Sequence, residues 1–223
     1  MTNTPPLFPT PAFFPTPAFA NAVEHVLGAW TPRAFMLEGM SAVRAQDRAV
    51  GPAYTIRLRR AATRSRQNAA RALAAYDAAP AGSIVVIQVM DDLGGAVMGD
   101  IIAHRLKKLG VAGAVVEGPV RDIDGLAEFG PPIWYRDAVT TGLEMAETEA
   151  EAQVALDIDG VEVVPGALVT VDRDGVFFLP AGHGDAILAR AAAVVAREET
   201  LHAALAGGES LVEALGFADA TAS

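Results

Sequence analysis

Asp100, Arg121 and Asp122 are the residues of this 223-residue chain whose types and spacing most readily do chemistry. Arg121 offers a planar fork of N–H donors suited to a carboxylate. Asp122, its neighbour, offers a hard oxygen ligand. Asp100 opens the amphipathic run "GDIIAHRLKKLG" (99–110), so the backbone amides from Gly99 through Asp100, Ile101 and Ile102 would begin a helix and hold an anionic oxygen. Asp122, with Asp100 and water, suits Mg²⁺, which usually keeps several of its waters. A cation beside a 2-oxo acid polarises the keto group and stabilises an enolate. Together these parts describe cleavage of a carbon–carbon bond next to a 2-oxo acid. A plainer reading stays open: Arg121–Asp122 as a surface ion pair, and Asp100 as a favourable charge at a helix start.

The elements that must position these residues are legible around them. "SIVVIQV" (83–89) is a nearly continuous β-branched run and reads as a central strand, followed by the helix at 99–110 and the buried strand "VAGAVVEG" (111–118). Strand, helix, strand over 83–118 makes a parallel βαβ unit. The loops leaving its two strands emerge at one sheet edge, where open α/β folds bind ligands. That topology brings "MDDLGGAVMGD" (90–100) and "EGPVRD" (117–122) to one rim. "GGAVMG" (94–99) lacks the spacing of a dinucleotide fingerprint.

Around this centre, residues 21–30 and 68–78 read as helices and "AYTIRLRR" (53–60) as a strand whose Arg57 and Arg59 share a face, to meet acidic residues or a neighbouring subunit. "PIWYRD", "VALDI", "VEVVPG", "ALVTVD" and "GVFFLP" read as short strands, with "DRDG" (172–175) a hairpin turn in which Asp172 and Asp174 serve as turn residues. A long helix follows from about 184 to 206, then the apolar segment "LVEALGF". The expected architecture is a parallel βαβ centre joined to a smaller β-rich layer, with helices outside. No interdomain linker is visible, so 21–223 reads as a single domain after a Pro/Phe-rich arm over 1–20.

Composition narrows the function. With 27 acidic residues against 17 Lys and Arg, the net charge of −10 gives no general attraction for a phosphate backbone, and no direct nucleic-acid binding is expected. The absence of cysteine excludes thiolate nucleophiles, disulfides and Cys-ligated zinc. His25, His104, His183 and His202 form no ligand pair. No run approaches a membrane span, and the proline-studded first twenty residues do not read as a signal peptide, so a cytoplasmic location is expected. "PTPAF", at 9–13 and again at 15–19, reads either as a tail or as an extended arm packed on its own or a neighbouring subunit.

Four segments resemble the RraA-like family: "GPAYTIRL" (51–58), "GDIIAHRLKKLGVAGAVVEGPVRD" (99–122), "GVEVVPGALVTVDRDGVFFLP" (160–180) and "REETLHAALAGGESL" (197–211). The likeness spans roughly 38–216. That family includes regulators of ribonuclease activity and class II aldolases for 4-hydroxy-4-methyl-2-oxoglutarate and 4-carboxy-4-hydroxy-2-oxoadipate. The resemblance implies an α/β/β/α sandwich of swivelling-domain type, assembled as a homotrimer or a hexamer. It also implies a Mg²⁺- or Mn²⁺-dependent aldolase or oxaloacetate decarboxylase releasing pyruvate. Arg121 would then bind the pyruvoyl carboxylate, Asp122 the metal, and Asp100 a metal-bound water. Glu198, or Glu199 in its place, would complete the water shell from an adjacent subunit. Glu117 stands near the metal's outer shell where the family usually has aspartate. The alternative carried by the same likeness is a non-catalytic regulator of a ribonuclease or RNA helicase. Regulators of this kind tend to lose the metal-ligating aspartate, and this chain keeps it.

Overall fold

A computed structural model describes residues 13–28, 32–180 and 182–217. The βαβ centre is present: β4 (Ile84–Val89), α3 (Asp100–Lys108) and β5 (Gly113–Val120), with β4 and β5 parallel in the register Val85↔Ala114, Ile87↔Val116. α3 carries Asp100 in its first turn and Arg105, Lys107 and Lys108 in its last, each sign at the favourable dipole end. Gly110, at φ 77°, supplies the left-handed residue that turns the chain into β5.

β3 (Ala49–Arg60) runs parallel to β4 along one edge. Its other edge is shared: Ala49–Pro52 pair with β10 (Leu168–Val171), and Ile56–Arg60 pair with β7 (Thr148–Ala152), both antiparallel. β3 thereby joins two halves. One continues through β4 and β5 to the parallel β6 (Ile133–Ala138) and then to β2 (Ser41–Ala42). The other continues through β10 to β11 (Val176–Phe178) and β1 (Met36–Leu37). β8 (Leu156–Ile158) and β9 (Val161–Val163) form a separate hairpin.

Period-two alternation sorts these strands into layers. On one face Ile56, Leu58, Ile87 and Val116 pack beneath α2 (Arg66–Asp77), α3 and α4 (Ile123–Phe129), through Tyr76, Ala103, Leu106 and Leu126. On the opposite face Ile84, Val86, Val115 and Trp134 meet the hairpin and the inner residues of β10 and β11, including Val169, Val171 and Phe178. The outer residues of those strands, Leu168 and Phe177, lie under α1 (Thr16–Leu27) and α5 (Gly184–Ala206). The result is an α/β/β/α sandwich. Phe19 of α1 stacks on Phe177 at 5.3 Å between ring centroids. Burial of each such side chain contributes about 1.5–3 kcal/mol. A short helix, α6 (Leu211–Ala214), follows α5 and is held by a Ser210–Glu213 capping box.

Several boundaries differ from the sequence reading. α1 begins at Thr16, inside the second "PTPAF", rather than at 21. Pro15 cannot cap it with a side chain, so Asp172 does: its carboxylate accepts from the Thr16 amide at 2.8 Å and the Thr16 hydroxyl at 2.7 Å. Asp172 therefore does more than turn the hairpin, and its carbonyl also accepts from Trp134 Nε1 at 2.8 Å. The first "PTPAF" lies outside the described residues apart from Phe13. The acidic run 137–150, which carries no strand signal, contains the start of strand β7, and α4 follows Asp122 where no helix was expected.

Candidate active site at the rim of β4 and β5

Because β4 and β5 are parallel, the loops that leave them share an edge, and hydrogen bonds stitch the two together. Val97 N–H donates to the Pro119 carbonyl at 2.9 Å, and Arg121 N–H to the Met98 carbonyl at 3.0 Å. The loop after β6 joins from the other side: Ala96 N–H donates to the Thr141 carbonyl at 2.8 Å, and Leu143 N–H to the Ala96 carbonyl at 3.1 Å. Asp100, Arg121 and Asp122 are set in this frame.

Three glycines make the close approach possible. A Cβ on Gly99 would lie 2.9 Å from Asp122 Oδ2 and 3.3 Å from Arg121 Nε. On Gly125 it would lie 2.7 Å from Asp100 Cβ, and on Gly142 it would lie 2.9 Å from an Arg121 terminal nitrogen. Each functional side chain thus rests against a residue that has no side chain of its own. The sequence reading placed Gly99 in the site and missed Gly125 and Gly142. No sequence signal marked Gly125, because the seven-residue helix that holds it was itself not expected.

Asp122 holds φ 59° and ψ 47°, the left-handed region in which aspartate is tolerated but uncommon. It occupies the N-cap position of α4, yet its side chain makes no cap hydrogen bond. Instead Oδ2 lies 3.3 Å from Arg121 Nε. Both side chains remain 44–45% exposed, so the pair is open to a ligand rather than sealed in the core. Asp100 Oδ1 accepts from the Ile101 amide at 2.8 Å, which withdraws that amide from the set expected to meet an anion. The Ile101 side chain is 77% exposed at the rim.

The remaining candidates lie elsewhere. Glu117, opposite Gln88 in the β4–β5 register, faces the hairpin layer, where Arg136 Nε is 4.0 Å from its Oε1. Burial pushes its carboxyl above the ordinary value, against the opposing pull of the Val89 amide and of Arg136. Arg136 is further engaged by the Glu38 carbonyl and Asp159. Glu198 is exposed on α5, lining a groove of about 680 Å³ with His25, Arg190 and Arg197. α5 belongs to the outer layer opposite α3 and α4, so one chain does not bring Glu198 or Glu199 to Asp122. Among the described residues, no three carboxylate or imidazole side chains converge as a fully protein-ligated metal would need. No described helix is long and apolar enough to cross a membrane.

This fold is that of a known class. The RraA-like family profile, described as Aldolase/RraA, matches residues 23–178, and the chain belongs to that family. A relative from Halalkalibacterium halodurans named "Putative 4-hydroxy-4-methyl-2-oxoglutarate aldolase" is 32% identical over 168 residues, covering 75% of this chain and 77% of the relative. Among solved structures, an uncharacterized protein from Pseudomonas syringae pv. tomato superposes with a TM-score of 0.72 at 25% identity, covering 90% of this chain and 92% of that one. Streptomyces coelicolor RraAS2, described as an unusual member of the RNase ES inhibitor RraA protein family, superposes with a TM-score of 0.66 at 27% identity, covering 82% and 88%.

Proposed function

We propose that the chain is a divalent-metal-dependent lyase that cleaves a 4-hydroxy-2-oxo acid, or decarboxylates oxaloacetate, to release pyruvate. The observation that carries this reading is the left-handed Asp122, whose carboxylate caps nothing and sits with Arg121 against Gly99. The likeness to an aldolase-named relative supports it. Asp122 is a hard oxygen donor left half exposed, which fits a cation such as Mg²⁺ or Mn²⁺ that retains most of its water. Asp122 would hold such an ion, with Asp100 steadying a water of its shell. Bound there, the ion would supply Lewis acidity toward the 2-oxo group.

The chain's own groups do the rest. Arg121 receives the substrate carboxylate in its guanidinium fork. Amides at the start of α3, that of Ile101 excepted, turn their N–H groups toward the anion. In the aldol cleavage the C4 hydroxyl loses its proton to a base at the rim, for which Asp100 is the candidate. The C3–C4 bond breaks, its electron pair passes into the pyruvate enolate, and a proton then adds at C3. In oxaloacetate the group lost is carbon dioxide. Glu198 enters the site from a neighbouring copy in a closed homo-oligomer, trimer or hexamer, because its own chain holds it in the opposite layer.

A coupled assay for pyruvate release from a panel of 2-oxo diacids, with and without EDTA, tests the reading. Metal-dependent turnover of at least one member is expected, and none across the panel contradicts it. The likeness to RraAS2 and the net charge of −10 favour one second reading, a regulator docking on a basic ribonuclease or helicase. Such a protein would bind no divalent ion by calorimetry and would co-purify with its partner.

A further inference from the structure

We infer that Gly142, on the loop after β6, is a positioning residue that sets where the Arg121 guanidinium lies. The inference deepens the lyase reading, because it concerns the arginine given there to the substrate carboxylate. Arg121 points from the β5 edge toward Gly142. A Cβ on that glycine would lie 2.9 Å from one terminal nitrogen of Arg121, 3.1 Å from Cζ and 3.6 Å from the other terminal nitrogen. The guanidinium therefore rests against the bare Cα of Gly142, with Gly99 and Asp122 bordering its Nε. Among the described residues, Asp122 is the acidic partner of Arg121, and it meets Nε rather than the terminal nitrogens. The terminal end of the fork is placed by packing against Gly142 while Nε pairs with Asp122, which leaves the terminal N–H groups to a ligand.

Gly142 is not a glycine for conformational reasons. Its φ lies outside the left-handed range, so alanine could adopt the same backbone, and the three atoms its Cβ would meet first all belong to the arginine. The wall is itself braced. Ala96 N–H donates to the Thr141 carbonyl and Leu143 N–H to the Ala96 carbonyl, and Ala96 bridges Gly142 in parallel. Behind it, a Cβ on Gly95 would lie 2.5 Å from the Gly142 carbonyl oxygen, so a second glycine lets the loop press against the site. A methyl on Gly142 displaces the end of a flexible side chain, whereas one on Gly95 displaces backbone.

A cycle of Gly142→Ala, Arg121→Ala and the double variant tests this. The readouts are pyruvate affinity by calorimetry in Mg²⁺, KM and kcat, Tm, and the ¹⁵N resonance of Arg121 Nε. A carboxylate held equally in ground and transition states acts on KM. Gly142→Ala is therefore expected to weaken pyruvate binding and raise KM by about tenfold, with kcat within about threefold of wild type. The Arg121 Nε resonance should shift. In the Arg121→Ala background the same methyl should have no further effect on binding, and any Tm lost in the single variant should return. An unmoved Nε resonance, or an equal Tm loss in both backgrounds, overturns the inference even if the protein turns over no 2-oxo acid. A wild-type protein inert toward the whole substrate panel, with the resonance shift and Tm coupling intact, overturns the lyase reading alone.

Discussion

Asp122 keeps a left-handed backbone at a strain of roughly 1 kcal/mol without using its carboxylate as a cap, and such strain persists where the surroundings hold it for function. Asp122→Gly separates the two. Glycine takes the same φ freely, so thermal unfolding should move by no more than about 1 kcal/mol in either direction, while metal-dependent turnover disappears. A large loss of Tm would instead mark the carboxylate as structural. Glu117 gives a second test. Its carboxyl titrates above the ordinary value because burial disfavours the charged form, so the folded state is relatively favoured while Glu117 is protonated. That advantage is lost as pH rises through the folded value. The stability of Glu117→Gln relative to wild type should accordingly increase between pH 4 and pH 7. A decrease would mean that the contact with Arg136, 4.0 Å away, outweighs desolvation.

At the scale of elements, β4, α3 and β5 are legible because each carries its own signal: a β-branched run, a 3.6-residue stripe with charges at the proper ends, and Gly110 between them. β7 has no such signal. "TEAEA" reads as acidic loop, and it becomes a strand because Glu149 and Glu151 lie opposite Arg59 and Arg57. The alternating arginines of β3 held the complementary half of that information. α4 is hidden for a different reason: Gly125 weakens it as a helix and is needed against Asp100. Of the candidate site, the placing of Arg121, Asp122, Asp100 and Gly99 on one rim was readable from the βαβ order. Gly142 was not, since only the fold shows what lies against it. The β3–β7 ladder is partly exposed, so Glu149→Lys, which sets like charges face to face, should lower stability by about 1 kcal/mol or less. The loss should shrink in high salt, and urea unfolding at two salt concentrations measures it.

The whole molecule places its candidate acids on opposite outer layers, Asp100 and Asp122 beside α3 and α4, Glu198 on α5. If a second copy supplies Glu198, Asp122→Ala and Glu198→Ala subunits, each inactive alone, should regain part of the wild-type activity when mixed. No recovery despite demonstrated subunit exchange would contradict a shared site.

The proposed metal-dependent lyase activity rests on the Arg121–Asp122 rim. Its most direct measurement is the rate of pyruvate release from oxaloacetate and from 4-hydroxy-4-methyl-2-oxoglutarate as Mn²⁺ is titrated into EDTA-treated wild-type and Asp122→Gly protein. Saturable, metal-dependent release by the wild type on at least one substrate is expected, and none above background by the folded variant. Equal rates for the two proteins, or a wild-type rate indifferent to metal, would contradict it.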